Sequence, residues 1–110
     1  METKNAVIES TMLGIEDHGI LTCFLYLNYG GSSQGFGGYS FDEYDKGKDK
    51  RVGVAWGMEF IRNVLETLEV ESWEDLTGER CRVVSDSGKV YRIGHFLKDQ
   101  WFDPDKDLSR

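Results

Sequence analysis

The segment ILTCFLYLNY, residues Ile20–Tyr29, has the strongest strand pattern in the chain. Apolar residues recur at every second position, which is the pattern of a half-buried β-strand. Two aromatic residues on the second face indicate that another element covers this face or that it is a contact surface. The first face carries Leu21, Cys23, Leu25 and Leu27, and the second carries Thr22, Phe24, Tyr26 and Asn28.

Turn signals lie on both sides of this strand. Residues 5–13, NAVIESTML, precede it and are separated from it by GIEDHG, Gly14–Gly19, so the two runs predict an antiparallel hairpin. After it comes YGGSSQGFGGYSF, Tyr29–Phe41, which we expect to include a short third strand through Gly37 to Phe41. The charged stretch 42–51, DEYDKGKDKR, predicts a solvated, mobile loop.

Residues 54–69, VAWGMEFIRNVLETLE, carry the helical period. The stripe predicted to face the sheet consists of Met58, Ile61, Leu65 and Leu68. Gly57 is unfavourable inside a helix, so either another segment approaches closely there or the helix begins after it.

The C-terminal part predicts a second hairpin. RCRVVSD and KVYRIGHFL flank Ser87-Gly88, a turn pair. A short helical turn is expected at Ser72, and Trp101 and Phe102 are expected to be tied down before Pro104 ends any strand. The chain therefore predicts one α+β domain, residues 1–110. Its antiparallel sheet has four to five strands (hairpin, short strand, main helix, hairpin), and the main helix packs on one face.

Charge and composition narrow the class of partner. The net charge of −7 argues against direct nucleic-acid binding and fits either a basic protein partner or simple solubility. No apolar run approaches the ~20 residues of a membrane span, and no secretory signal is apparent. Cys23 and Cys81 are expected to be reduced core residues of a cytoplasmic protein, with a disulfide between facing strands as the alternative.

No familiar catalytic or metal-binding pattern appears. The glycine-rich segment lacks both the P-loop and the dinucleotide-binding spacing. Glu16, Asp17 and His18 are consecutive and are expected to form a turn rather than a metal site. Ser32 and Ser33 do not form a nucleophile elbow. We therefore expect no enzyme activity, no cofactor and no metal.

The candidate contact residues come from three places. Gln34, Phe36 and Tyr39 combine an amide and two rings on permissive backbone. Phe24 and Tyr26 lie on the second face of the strand, and Glu16 and Asp17 form the acidic turn. Aromatic residues are enriched at interface centres.

Three motifs, EDHGILT (16–22), YGGSSQGFGGY (29–39) and RIGHFLKDQWFDP (92–104), resemble small proteins encoded by bacteriophages and prophages. The resemblance implies the cytoplasm of a bacterial host cell. It favours an inhibitor of a host or anti-phage defence protein, similar to anti-CRISPR proteins. The alternatives are a protein that sequesters a nucleotide signal with the glycine-rich segment 30–39, and an enzyme of unknown class. A homodimer is compatible with either binding role.

Overall fold

A computed structural model describes residues 1–110 as ten regular elements and one 3₁₀ turn. The main helix α1 is Ala55–Leu68, and a short helix α2 is Pro104–Asp107. Trp73–Asp75 form the 3₁₀ turn that follows Ser72. The strands are β1 Glu2–Ile15, β2 Leu21–Tyr29, β3 Ser32–Gly37, β4 Asp42–Asp45, β5 Lys50–Gly53, β6 Arg80–Asp86, β7 Lys89–His95 and β8 Trp101–Phe102.

Six of the strands form one antiparallel sheet in the order β3-β2-β1-β6-β7-β8, and β4 and β5 form a separate pair. The α+β class with an antiparallel sheet and one main helix is confirmed, but the prediction of four to five strands was too low. The sheet curls so that Cα atoms of β3 come within 8 Å of Cα atoms of β7, although these strands are not paired. Neither helix has the length and apolar character that a membrane-spanning helix needs.

The long strand β1 joins two hairpins. Its residues Glu2–Val7 pair with β6, and Val7–Ile15 pair with β2, with a bulge at Glu9 where the register shifts. Both predicted hairpins, β1–β2 and β6–β7, are confirmed. The end of the β1–β2 hairpin therefore projects beyond β6, which leaves β1 at Val7.

The glycine-rich segment forms a third hairpin. Gly30 and Gly31 have φ values of 61° and 79°, which suit a two-residue turn between β2 and β3. The predicted third strand through Gly37–Phe41 was misplaced, because β3 ends at Gly37.

The helix packs with a different face from the one predicted. Its most buried large side chains are Phe60, Val64 and Leu68, whereas Met58 is 70% exposed and Ile61 and Leu65 are only partly buried. This face is buried because Phe60 packs among other aromatic rings. The Phe60 ring centroid lies 5.2 Å from that of Phe102, 5.3 Å from that of Phe41 and 5.8 Å from that of Phe36. The predicted stripe is correct for Leu68, correct in part for Ile61 and Leu65, which pack against the edge of the core, and wrong for Met58.

Close approach at Gly57 is confirmed. A Cβ atom built at Gly57 would stand 3.0 Å from Cβ and Cγ of Phe41. The glycine thus lets the segment before β4 pack directly on the helix.

The prediction of a mobile loop over residues 42–51 was wrong. These residues form the hairpin β4–β5, in which Asp42 pairs with Arg51 at 2.8 Å and accepts a hydrogen bond from the Leu21 N–H at 2.9 Å. The charged residues that suggested a solvated loop therefore form an ion pair within the hairpin and a hydrogen bond to the backbone of β2.

The C-terminal residues and the cysteines lie where expected. Trp101 and Phe102 pair with β7, Phe102 is fully buried, and Pro104 begins α2. Cys23 and Cys81 are buried free thiols on β2 and β6, which are separated by β1.

Candidate functional site

The projecting end of the β1–β2 hairpin carries exposed apolar side chains. Leu13 pairs with Cys23 and Ile15 with Leu21, so all four point to the face that α1 covers further along the strands. Cys23 is fully buried, yet Leu13 is 44% exposed and Ile15 is 65% exposed. The inner face of the sheet thus continues as apolar surface beyond its covered part.

An apolar groove separates this hairpin end from the start of α1. It encloses about 430 Å³, and Gly57 over Phe41 forms part of its wall. Met58 projects beside it into solvent. The lining residues that define the groove are Leu13, Leu21, Phe41, Val54, Met58 and Ile61.

The acidic turn Glu16–Asp17 caps the same hairpin. The Glu16 carboxylate accepts a hydrogen bond from the His18 N–H at 2.7 Å, and the His18 ring Nδ1 lies 3.4 Å from its other oxygen. Partial desolvation raises the pKa of Glu16, but the contacts with His18 together outweigh it, and the pKa lies below its usual value. Glu16 is therefore ionised near neutral pH, directly after the exposed Ile15. The expectation of a turn at this position is confirmed.

Phe24 and Tyr26 occupy the opposite, outer face of the hairpin. Their ring centroids are 5.6 Å apart with an interplanar angle of 13°, and Tyr26 is 39% exposed. No helix packs on this face, so the alternative that another element covers it does not hold for Tyr26. Phe24 is half-buried because its ring lies over Gly35 and Gly38 of the neighbouring segment.

Phe36 is not a surface residue, which corrects its assignment as a contact residue. It is 2% exposed, and it pairs with Leu25 on the inner face of the sheet. Side chains alternate along a strand, so Gln34 also points inward, opposite Leu27, and cannot share a surface with the outward Phe24.

Tyr39 packs largely against the core. Its ring centroid lies 5.7 Å from that of Phe60 and 6.3 Å from that of Trp56, and the Arg110 guanidinium covers it at 4.6 Å. Burial, reinforced by the Asp105 carboxylate, raises the pKa of its hydroxyl. The glycine-rich segment therefore does not gather Gln34, Phe36 and Tyr39 into one site.

Gln34 instead contributes to a polar pocket between two hairpin turns. The pocket encloses about 360 Å³ and is also lined by Lys4, Tyr29, Ser32 and Ser85. It lies at the opposite end of β2 from the acidic turn. It offers hydroxyl, amide and ammonium groups and the carboxylates of Glu2 and Asp86 rather than apolar surface, and Glu2 pairs with the Lys4 ammonium at 3.3 Å.

The groups usually considered for catalysis are dispersed. Burial raises the pKa of each cysteine thiol to about 12, which leaves almost no thiolate at neutral pH. His18 is at the hairpin tip, and His95 Nδ1 accepts backbone hydrogen bonds from Leu97 and Lys98 at 3.1 and 3.0 Å. No three His, Cys, Asp or Glu side chains converge as metal ligands would.

The sequence pattern missed Leu13, Ile15 and Met58 as surface residues. Leu13 and Ile15 continue the period of the buried strand face, and Met58 fits a helical stripe, so each has the pattern of a core residue. One signal in the sequence could have identified Met58 as exposed. A second stripe of helical period consists of Gly57, Phe60, Val64 and Leu68, and if this stripe faces the core, Met58 faces solvent. No protein-family model, no curated protein and no solved structure with which the chain was compared matches it.

Proposed function

We propose that this chain is a small acidic phage-type binding protein that inhibits a host or anti-phage defence protein by direct contact, as anti-CRISPR proteins do. The contact surface is the projecting end of the β1–β2 hairpin with the apolar groove. The observation that carries the proposal is the exposure of Leu13 and Met58 in the lining of that groove, together with Ile15, which is exposed two residues beyond Leu13 on the same strand face. Apolar side chains grouped at a concave surface are typical of a protein–protein interface.

The charge around the groove indicates the kind of partner. Glu16 and Asp17 lie directly after Ile15, and the chain as a whole carries a net charge of −7. A partner that places an apolar side chain in the groove and basic residues beside the turn matches this surface. Opposite charge would also accelerate encounter, in a salt-dependent way.

The test compares variants that keep the fold. Ile15→Thr and Met58→Gln replace exposed side chains with residues suited to a strand and a helix, and Leu97→Gln is the control because Leu97 is exposed on the turn after β7. Each tagged protein is expressed in bacteria, bound proteins are quantified by mass spectrometry, and the captured partner is purified for calorimetry. We expect at least tenfold weaker binding for Ile15→Thr with Met58→Gln and unchanged binding for Leu97→Gln.

Equal capture by all three proteins would refute the proposed surface. Light scattering of the free protein tests the other possible occupant of the groove, a second copy of the chain, because it measures whether the protein is a monomer or a dimer. A dimer that the Ile15→Thr and Met58→Gln changes dissociate would show that the groove binds a second copy of the chain instead.

The polar pocket favours a second candidate function, sequestration of a small polar ligand such as a nucleotide signal. Its support is the cluster of hydrogen-bonding side chains, including Gln34, around about 360 Å³. Titration of the labelled protein with a nucleotide panel tests it by NMR. Shifts confined to the amides of residues 29–34 and 85–88 would support this role, and an unchanged spectrum would refute it.

A further inference from the structure

The outer face of the other half of the sheet carries three arginines beside aromatic rings. Arg82, Gly94 and Trp101 are directly opposite one another on β6, β7 and β8, so they share the outer face. Arg92 and Arg80 occupy the neighbouring outward positions of β7 and β6. We call Arg80, Arg82, Arg92, Phe96 and Trp101 the arginine face.

Rings and guanidinium groups interleave on this face. The Trp101 ring lies flat on Gly94, with the guanidinium of Arg82 at 4.7 Å and that of Arg92 at 6.0 Å from its centroid. The Arg80 guanidinium lies 4.9 Å from the Phe96 ring centroid. Planar cations are thus held on planar rings at a sheet surface.

The arginine face has a local positive charge in an acidic protein. No Asp or Glu oxygen lies within 4 Å of any of the three guanidinium groups, although acidic residues outnumber basic ones by 20 to 13. The facing outward residues of β1 are uncharged, namely Thr3, Asn5 and Val7. Two acidic residues border the face: Asp99 accepts a hydrogen bond from the Trp101 indole, and Glu79 directly precedes Arg80.

The outer surface continues from the arginine face to the aromatic pair of the hairpin. Val7 is opposite Arg80 on one side and opposite Asn28 on the other, and Tyr26 is the next outward residue of β2. The outer surface of the sheet is therefore continuous from the three arginines to the exposed Tyr26 ring. The one carboxylate along it, Glu9, is held by Asn28 and Ser33.

We infer that this outer face binds single-stranded nucleic acid. Guanidinium groups without carboxylate partners pair with phosphates, and exposed rings and guanidinium planes stack on unpaired bases. Duplex DNA fits less well, because its bases are not free to stack on Tyr26. The net charge favours the opposite expectation, but it sums acids over the whole chain, whereas no carboxylate forms an ion pair with these three arginines.

The inference is independent of the proposed protein contact, because the apolar groove lies on the inner face. Its test uses fluorescence anisotropy of labelled twelve-nucleotide oligo-dT and oligo-U at 50 and 200 mM salt. Arg80→Gln with Arg92→Gln removes two charges while Arg82 is retained, because Arg82 also donates to the backbone oxygens of His95 and Lys98. Lys46→Gln with Lys48→Gln is the matched control, since both lysines are exposed on the β4–β5 turn and form no ion pair.

We expect binding by the natural chain that weakens with salt, at least tenfold weaker binding for the arginine variant and unchanged binding for the lysine control. Tyr26→Ala tests stacking with all charges retained and is expected to weaken binding severalfold. It also provides the decisive comparison if the arginine variant does not fold, as judged by circular dichroism.

Three results would overturn the inference. The first is no binding of either oligonucleotide at 50 mM salt. The second is an equal loss in the arginine variant and the lysine control, which would indicate a response to net charge alone. The third is arginine-dependent binding of a poly-glutamate peptide without binding of oligonucleotides, which would assign the face to an acidic protein.

Discussion

The ring of Phe24 lies directly against Gly38. A Cβ atom at Gly38 would stand 2.7 Å from Cε1 and Cζ of that ring. The same relationship recurs at Gly94, where a Cβ would be 2.5 Å from Cε3 of Trp101. Gly38 and Gly94 therefore leave room for an aromatic ring, and each ring covers the backbone of its glycine.

Replacing Gly38 should cost more stability than replacing Gly31. The two residues have nearly the same φ, 81° and 79°, so Gly38→Ala and Gly31→Ala share a left-handed backbone penalty of about 1–2 kcal/mol. A Cβ at Gly31 meets nothing within 4 Å, whereas one at Gly38 displaces Phe24. We expect a further loss of roughly 1–3 kcal/mol at Gly38, measured by urea unfolding.

A double-mutant cycle isolates the ring contact. In a Phe24→Ala background the extra cost of Gly38→Ala should disappear, because no ring remains to be displaced. Equal losses for Gly38→Ala and Gly31→Ala in the natural background would show that the ring adapts freely.

Phe60 should dominate the stability contributed by α1. Its ring is fully buried among the rings of Phe36, Phe41 and Phe102, so Phe60→Ala should lower the free energy of unfolding by about 3–5 kcal/mol. Met58→Ala is the helix control and should change it by less than ~0.5 kcal/mol, because Met58 is mostly exposed. The reverse order in thermal and urea unfolding would mean that the helix presents the stripe that the sequence first suggests.

These two residues show how far sequence patterns define the fold. The alternation from Leu21 to Leu27 and the Ser87-Gly88 turn are local signals, and both hairpins follow from them. The helix has two stripes that fit its period, one through Met58 and one through Phe60. The choice between them depends on Phe41 packing on Gly57, a contact distant in sequence that no local pattern records.

The candidate site was harder to predict from the sequence than the hairpins, because part of it also depends on contacts between distant segments. Tyr26 and Asp17 are exposed and Phe24 and Glu16 are half-buried, and these positions follow from a strand face and a turn, which are local features. Phe36 was misplaced because the glycines around it hid a strand, in which Gln34 and Phe36 share the inner face. The exposure of Leu13 and Ile15 depends on where β6 separates from β1, which is a property of the whole sheet.

Both cysteines should be unreactive in the folded protein. Burial raises the pKa of each thiol to about 12, with Glu79 adding to the effect at Cys81. Ellman's reagent at pH 8 should label neither thiol in native buffer and both thiols in urea. A disulfide is not expected, because their partners on β1, Leu13 and Ala6, are seven residues and therefore about 23 Å apart. Rapid labelling of the native protein, or an oxidised monomer by mass spectrometry, would contradict this.

Asp42 should make stability depend on acid pH. Its Oδ1 accepts a hydrogen bond from Arg51 Nε at 2.9 Å, and its Oδ2 accepts one from the Leu21 N–H at 2.9 Å. The Arg51 hydrogen bond, aided by that of Leu21, holds the pKa of Asp42 below its ordinary value of 3.8 against the opposing effect of desolvation. The folded protein thus binds this proton more weakly than the unfolded chain does.

The sign of the effect follows by linkage. A carboxylate with a depressed pKa stabilises the fold above its unfolded value, near pH 4, and that contribution is lost as the pH falls through the folded pKa. Asp42→Asn should therefore lower the free energy of unfolding at pH 7, and the gap to the natural chain should narrow below pH 4. Asp75→Asn is the control, since Asp75 is exposed and its carboxylate makes no hydrogen bond, and it should change stability by less than ~0.5 kcal/mol at pH 7. A gap for Asp42→Asn that stays constant from pH 7 to pH 2.5 would show that the ionised form of Asp42 adds nothing to the stability of the fold.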